Sequence, residues 1–390
     1  MSTIYLDWAA TAPPDPETIE EHARVAAGAF GNPSSDHAAG KAARELLQSA
    51  RIRAARHLGA RPEQVIFTSC GTESNNIVML SLLLRKRTGS VVVSGIEHPS
   101  VFEPARLLAE MGFAVRFVPA ERNGIVSPDR LLQAVDETTL LVALMYVNNE
   151  TGAIQPVREV ATLLAERART GGRPIHLHSD CVQALGKLPV DCSALGLDSA
   201  SFSGHKLGAP RGCGLLYLNR PLVPLYRGGG QESDLRPGTE NLPAICATAL
   251  AIERHAAAAG AEGRARAADL KGLLIERIGS IEGHRFIPPE VETEPERYSP
   301  FILNVAFPPM PGEVLVRLMN DRGYAISTGS ACSARKQKHL RVLQAMGVDH
   351  DLAFSAIRVS TGYTTTRAEI EAFSADLARA VASLPAPARR

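Results

Sequence analysis

Leu197-Asp198-Ser199-Ala200-Ser201-Phe202-Ser203-Gly204-His205-Lys206 is the stretch from which the fold is read. Its apolar alternation and short length predict a strand, and Ser203-Gly204-His205-Lys206 closes it. A lysine leaving a strand end beside Ser, Gly and His is placed to hold an aldehyde cofactor as a Schiff base. The hydroxyl, the imidazole and nearby backbone N–H groups can then hold an adjacent phosphate. A lone lysine is more often a solvated surface charge. The reading strengthens with Asp180, which ends another strand-like run, His176-Leu177-His178-Ser179-Asp180. Pyridoxal phosphate needs such a pair: a lysine for its aldehyde and a carboxylate for its pyridinium nitrogen.

Working outward, short strand-like runs, the first of them rich in β-branched residues, recur at 65–69, 90–95, 114–119, 140–147, 174–180 and 199–204. Between them lie segments with apolar residues at helical spacing, among them 75–87 with a helix start near Asn75. Strands alternating with helices predict an α/β fold with a mainly parallel sheet covered on both faces. Ligands of such sheets bind where loops leave the C-terminal strand ends. Cys70-Gly71-Thr72-Glu73, Glu97-His98, Asn148-Asn149-Glu150, Asp180 and His205-Lys206 all fall at those ends. An Ala/Arg-rich helical stretch over about 250–278 is expected to lead out of this unit. Beyond residue 285, strand and helix patterns predict a smaller α+β layer. The expected organisation is a large domain over 15–258, and a small domain of 1–14 and 259–390 carrying a cysteine loop at about 327–340.

The 390 residues include 42 Lys and Arg against 41 Asp and Glu, a balance that gives no electrostatic reason to expect nucleic acid or an anionic membrane as partner. No apolar run is long enough for a transmembrane helix, and the N-terminal residues do not read as a signal peptide. The six cysteines are scattered without a C-x-x-C pair, which argues against a disulfide framework or structural zinc and for a reducing cytoplasm. His176 and His178 lie on one strand face but lack a third ligand at suitable spacing, so they read as core or supporting residues and no resident metal is expected.

Several residues admit two readings. Thr72 or Ser74 can cap a helix, or the Cys70–Ser74 loop can hold a phosphate at a helix N-terminus. The Gly228–Thr239 loop can be a flexible surface loop or part of a binding site. His98, before a proline, can be a capping or core residue, or can stack on a flat ring. Arg358 can be a salt-bridged surface arginine or a two-bond clamp for a carboxylate. Cys332, in Ser327-Thr328-Gly329-Ser330-Ala331-Cys332-Ser333-Ala334-Arg335-Lys336, lies in a small polar stretch beside positive charge, a setting that favours thiolate.

Taken together, YLDWAAT, GNPSSDHAAGKAA, FTSCGTESNN, EHPS, NNETGAIQP, DCVQALGK, SGHKLGAPRGCG, GGGQE with RPGTEN, GSACSA and IRVSTG follow one order from Tyr5 to about Thr366. This order resembles the cysteine desulfurases of the NifS/IscS type, class V aminotransferases within fold-type I pyridoxal phosphate enzymes. The resemblance implies that Lys206 carries the cofactor and Asp180 pairs with its ring nitrogen. It implies further that Gln183 bonds the ring oxygen, that His98 stacks on the ring as a catalytic residue, and that Thr72, Ser203 and His205 hold the phosphate, with Gly71 letting the backbone approach. Thr239 would reach the phosphate from a second subunit, so a homodimer is expected. Asn149 and Arg358 would bind the carboxylate of L-cysteine, and Cys332 would accept its sulfur as a persulfide for a protein acceptor. Contact of Cys332 with a transient iron–sulfur cluster is left open.

The chain departs from the family at Cys70 and Cys181, which stand where Gly and Ala are usual, and at Trp8, where Tyr is usual. Cys70 and Cys181 are both expected to border the cofactor. An aminotransferase or direct C–S lyase would need Lys206 and Asp180 but not Cys332. A selenocysteine lyase shares the whole set, and an inactive sulfur-carrier or regulatory subunit would not need the intact Lys206, Asp180 and His205.

Overall fold

The computed structural model describes residues 3–85, 89–258, 260–329 and 340–383. The strands in chain order are β1 (Ile4–Tyr5), β2 (Val65–Thr68), β3 (Ser90–Ser94), β4 (Ala114–Val118), β5 (Thr139–Ala143), β6 (His176–Asp180), β7 (Ser199–Ser203), β8 (Gly214–Leu218), β9 (Arg285–Phe286), β10 (Ile302–Ala306), β11 (Tyr324–Ala325) and β12 (Ala356–Ser360). Seven form one sheet in the order β2-β8-β7-β6-β5-β3-β4. The neighbours from β4 to β7 pair parallel, whereas β8 is antiparallel to both β7 and β2. Six strands therefore point one way, and their C-terminal ends share an edge.

Strand β8 is absent from the sequence reading. Its Gly-Leu-Leu-Tyr-Leu run follows β7 closely and returns as a hairpin partner, which needs no crossover helix. β3 and β7 are buried along their whole length, as expected of strands covered on both faces. Two further details differ. The helix after β2 begins at Gly71, four residues before Asn75, because Cys70 in an extended conformation is its N-cap. The Ala/Arg-rich stretch is two helices, Leu242–Ala258 and Ala261–Gly279.

The second layer is the antiparallel sheet β12-β10-β9, with β1 and β11 paired parallel beside it. Its core joins the N-terminal Leu6 to Leu274, Ile278, Leu303, Val305, Ile357, Phe373 and Leu377. From β1 the chain runs on through a bridge between Asp7 and Ser360 toward the C-terminal edge of the large sheet. Trp8 is buried on this path, and Gly362 makes room for it: a Cβ there would stand 2.0 Å from the indole. Among the described residues, no helix is long and apolar enough to cross a membrane.

The Gly228–Thr239 loop is anchored rather than loose. Glu232, Ser233 and Asp234 all have positive φ, a conformation costly for non-glycine residues. The Arg51 guanidinium holds both carboxylate oxygens of Glu232 at 2.6 and 2.7 Å, and the Phe67 N–H donates to the same carboxylate. The Glu232 side chain is 1% exposed, so removing its partner strands a buried charge. Arg51→Met is therefore expected to cost about 3 kcal/mol or more in a urea titration. Arg61→Met, which breaks an exposed pair with Glu63, should change stability by about 0.5 kcal/mol or less. Equal effects of the two would show that the loop is not anchored by this pair.

Candidate active site

The C-terminal ends of β2, β6 and β7 and the N-termini of two helices surround a cavity of about 260 Å³. Cys70, Gly71, Thr72, His98, Asn149, Asp180, Gln183, Ser203, His205, Lys206 and Arg358 all line it, with Ala9, Ala10, Glu150, Gly329 and Arg341. Residues that are far apart in sequence meet there because parallel strands deliver their following loops to one edge.

Lys206 follows β7 on a single 3₁₀ turn, Gly204–Leu207, closed by Gly208 at φ 74°. Gly204 cannot be replaced by a larger residue, because a Cβ would meet the Thr248 hydroxyl oxygen at 2.6 Å. The turn aims Lys206 at the N-terminal segment, where its Nζ donates to the carbonyls of Ala9 at 2.5 Å and Ala10 at 2.7 Å. His205 shares a hydrogen bond with the Thr11 hydroxyl. Burial, reinforced by the Lys206 charge, pushes its ring down to about 4, so it is neutral at pH 7. Ser203 Oγ is buried with no partner.

That orphan hydroxyl faces the same cavity as the N-terminus of the helix Gly71–Leu80. The N-cap Cys70 makes no side-chain capping bond, which leaves first-turn N–H groups open to an anion. Gly71 is needed here, since a Cβ would stand 2.7 Å from Val182. The absent side chain thus lets the helix end approach the loop after β6.

Asp180 is buried, with Oδ2 accepting from Asn75 Nδ2 at 2.8 Å and Oδ1 from the Val182 N–H at 3.0 Å. Gln183 is fixed by two bonds: Nε2 donates to the Ala9 carbonyl, and Oε1 accepts from Lys187 Nζ at 2.7 Å. Lys187 is fully buried, and burial pushes it down to about 7. The sequence reading passed over both Asn75 and Lys187; Lys187, four residues after Gln183, was the legible one. His98 caps the helix Pro99–Glu110 and lines the cavity at once, so its two readings are compatible. Burial lowers its ring from the ordinary histidine value.

Arg358 is buried rather than on the surface, with a side chain 2% exposed. It donates to the carbonyls of Asn149 and Gly329 and to Asp7 Oδ1 at 2.7 Å, while its Nε has no partner. A buried guanidinium with a spare donor suits a carboxylate ligand. Asn149 stands beside it on the cavity wall. Glu150, fully buried nearby, is pushed up to about 7 by desolvation, with Arg358 and Arg341 pulling the other way.

Cys332 lies outside the described residues. The chain on either side of it is described: Gly329 and Arg341 both line the cavity, Gly329 held by Arg358 and Arg341 by the carbonyls of Gly95 and Glu97. Thr239 is exposed and does not line the cavity of its own chain. Cys181 does not line it either, contrary to expectation, because it points into the core beneath Asp180, where burial pushes its thiol up to about 12. His176 and His178 both bond the Ser199 hydroxyl and act as internal polar residues.

The family model for class V aminotransferases matches residues 4–373. Cysteine desulfurase IscS of Methanosarcina thermophila is 36% identical over 373 residues, covering 94% of this chain and 89% of that protein. Selenocysteine lyase of Homo sapiens is 36% identical over 414 residues, 98% of this chain and 92% of that protein. A solved NifS-like protein superposes with a TM-score of 0.89 at 34% identity, covering 98% of this chain and all of that one.

The burial pattern makes a chemical prediction. Alkylation of the native, ligand-free protein at pH 8, followed by peptide mapping, should modify Cys70 and spare Cys181, Cys192 and Cys213, whose thiols burial pushes up. Early labelling of Cys181 would contradict its placement in the core.

Proposed function

As a member of the class V aminotransferase family, whose cysteine desulfurases are pyridoxal phosphate enzymes, this chain is one for which we propose cysteine desulfurase activity with that cofactor. The observation that carries the reading is the convergence of Lys206, Asp180, the partnerless Ser203 hydroxyl and an open helix N-terminus on one cavity. These groups fit the cofactor: a lysine for its aldehyde, a carboxylate for its ring nitrogen, and hydroxyl and N–H donors for its phosphate. Thr72, Ser203 and His205 would hold the phosphate, His98 would lie on the ring, and Gln183 would bond the ring oxygen. When bound, the cofactor supplies an electron sink that loosens bonds at the substrate's α- and β-carbons.

The remaining chemistry belongs to the chain. Arg358 offers the free Nε donor to the carboxylate of L-cysteine, with Asn149 beside it. Asp180, held as acceptor by Asn75 and the Val182 N–H, keeps a negative charge facing the ring. Lys206 carries protons to and from the substrate's α-carbon at Nζ. Cys332 is the nucleophile. It lies three residues after Gly329 in the sequence, and Gly329 lines the cavity. Its thiolate attacks the substrate sulfur; the S–S bond forms as the Cβ–S bond breaks. L-cysteine and the Cys332 thiol thereby become L-alanine and a Cys332 persulfide, with the sulfur oxidised and Cβ reduced.

We assign residues 15–258 to a large cofactor-binding domain, and 1–14 with 259–390 to a small one. A homodimer is part of the reading, because Thr239 is exposed on an anchored loop and can serve a second copy's phosphate site. The persulfide passes to a protein acceptor, and the five described cysteines, all free thiols, suit a cytoplasmic site of action.

Lys206→Ala should abolish both the absorbance band of the lysine-bound cofactor and alanine formation; a borohydride-reducible adduct in that variant would rule Lys206 out. Arg358→Lys should raise KM for L-cysteine about 10- to 150-fold, the equivalent of about 1.5–3 kcal/mol for a lost charged hydrogen bond. An unchanged KM would exclude Arg358 from the substrate site.

A further inference from the structure

Behind the cavity runs a buried line of hydrogen bonds that sequence reading did not foresee. It passes from Ser199 to His178 Nδ1 at 2.8 Å and from His178 Nε2 to Asn75 Oδ1 at 2.9 Å. Asn75 Nδ2 then reaches Asp180 Oδ2 and Ser100 Oγ, each at 2.8 Å. Ser100 Oγ in turn stands 2.7 Å from His98 Nδ1. Asn75, His178 and Ser199 have no exposed surface, so solvent cannot substitute for a missing partner.

Donor and acceptor counting leaves one arrangement. A carboxylate only accepts, so the amide nitrogen of Asn75 must face Asp180. Its oxygen then faces His178 Nε2, which must carry a proton; His178 is neutral, since burial pushes it down to about 3, and its Nδ1 therefore accepts from Ser199. The second Asn75 N–H goes to Ser100 Oγ. An amide nitrogen cannot accept, and the N-cap bond from the Ser100 backbone makes His98 Nδ1 an acceptor, so the Ser100 hydroxyl proton points to His98 Nδ1. The Ser100 backbone N–H aims at that same atom from 3.2 Å. Two donors converge on Nδ1, and a proton there would face both.

We propose that Asn75 is a positioning residue that ties His98 to Asp180, holding His98 in the tautomer with its proton on Nε2. His98 then meets the cavity as a hydrogen-bond donor, and it can accept a proton there only if Ser100 and Asn75 reorient. The charged groups facing His98 are Asp180, Lys206 and Arg341. Of these, Asp180 is the one bonded into the line, so the charge at one end of the ring site sets the proton position at the other. The inference rests on the reading of Asp180 as the ionised partner of the cofactor.

The test is nitrogen NMR of histidine-labelled holoenzyme, with His98 identified by its loss in His98→Gln and cofactor absorbance recorded on the same sample. The wild type should show His98 Nδ1 unprotonated and Nε2 protonated; a proton on Nδ1 would overturn the proposal. Asn75→Ala should give a mixture of tautomers. An unchanged ring in that variant would equally overturn it. Ser100→Ala removes the hydroxyl donor but keeps the Asn75–Asp180 bond and the Ser100 N–H aimed at Nδ1. Because Asn75 acts on His98 only through that hydroxyl, this variant should shift the tautomer as far as Asn75→Ala does, and a clearly smaller shift would overturn the proposal. A sample without the cofactor band counts against the proposed function, whereas the tautomer is read independently of it.

Discussion

Residues Asp7–Thr11 form the seam on which the site depends. Arg358 of the small sheet donates to Asp7, and the Ser360 hydroxyl accepts from the Ala9 N–H. From the large sheet, Lys206 donates to the carbonyls of Ala9 and Ala10, Gln183 donates to Ala9, and His205 bonds Thr11. This five-residue turn, closed by the Ala10 N–H on the Asp7 carbonyl, is thus hydrogen-bonded to both sheets. The lysine, the glutamine and the arginine proposed to act on cofactor and substrate are all oriented by it. None of these contacts is a large energy alone, at about 1 kcal/mol for a neutral bond and up to about 3 for a charged one. Their sum fixes directions, which matters more for chemistry than their contribution to stability.

Charge in the site is governed by burial. Glu97 and Glu150 are raised to about 7 and Lys187 is lowered to about 7, each mainly by loss of water. Neutral imidazoles at His178 and His205 follow from the same cause. The charged groups of the site are bonded to named partners: Asp180 to Asn75 and the Val182 N–H, Arg358 to Asp7, Lys206 and Arg341 to backbone carbonyls.

The sheet was legible because its strands are short and separated by helical periods, with β2, β3 and β4 rich in β-branched residues. The edge position of the candidate site followed from parallel pairing alone. What escaped reading was hairpin geometry and contact across long sequence distances. β8 is apolar throughout, like a buried helix segment, and only its return beside β7 identifies it. Cys181 was misplaced because adjacent residues on an extended chain point to opposite sides: Asp180 faces the cavity and Cys181 the core. The role of Asn75 depends on His178, Ser100 and Asp180, three residues from other elements, which no local pattern links to it. Ordered motifs made the lysine, the aspartate and the arginine readable, whereas their supporting bonds join residues that only the folded chain brings together.

The central claim is that sulfur from L-cysteine arrives on Cys332. Its most direct test is mass spectrometry of tryptic peptides after a single turnover with sulfur-labelled L-cysteine, under conditions that preserve persulfides. The account requires one added sulfur on the peptide containing Cys332, with an equal amount of L-alanine formed. Label on another cysteine, or alanine released with free sulfide and no labelled peptide, would contradict it.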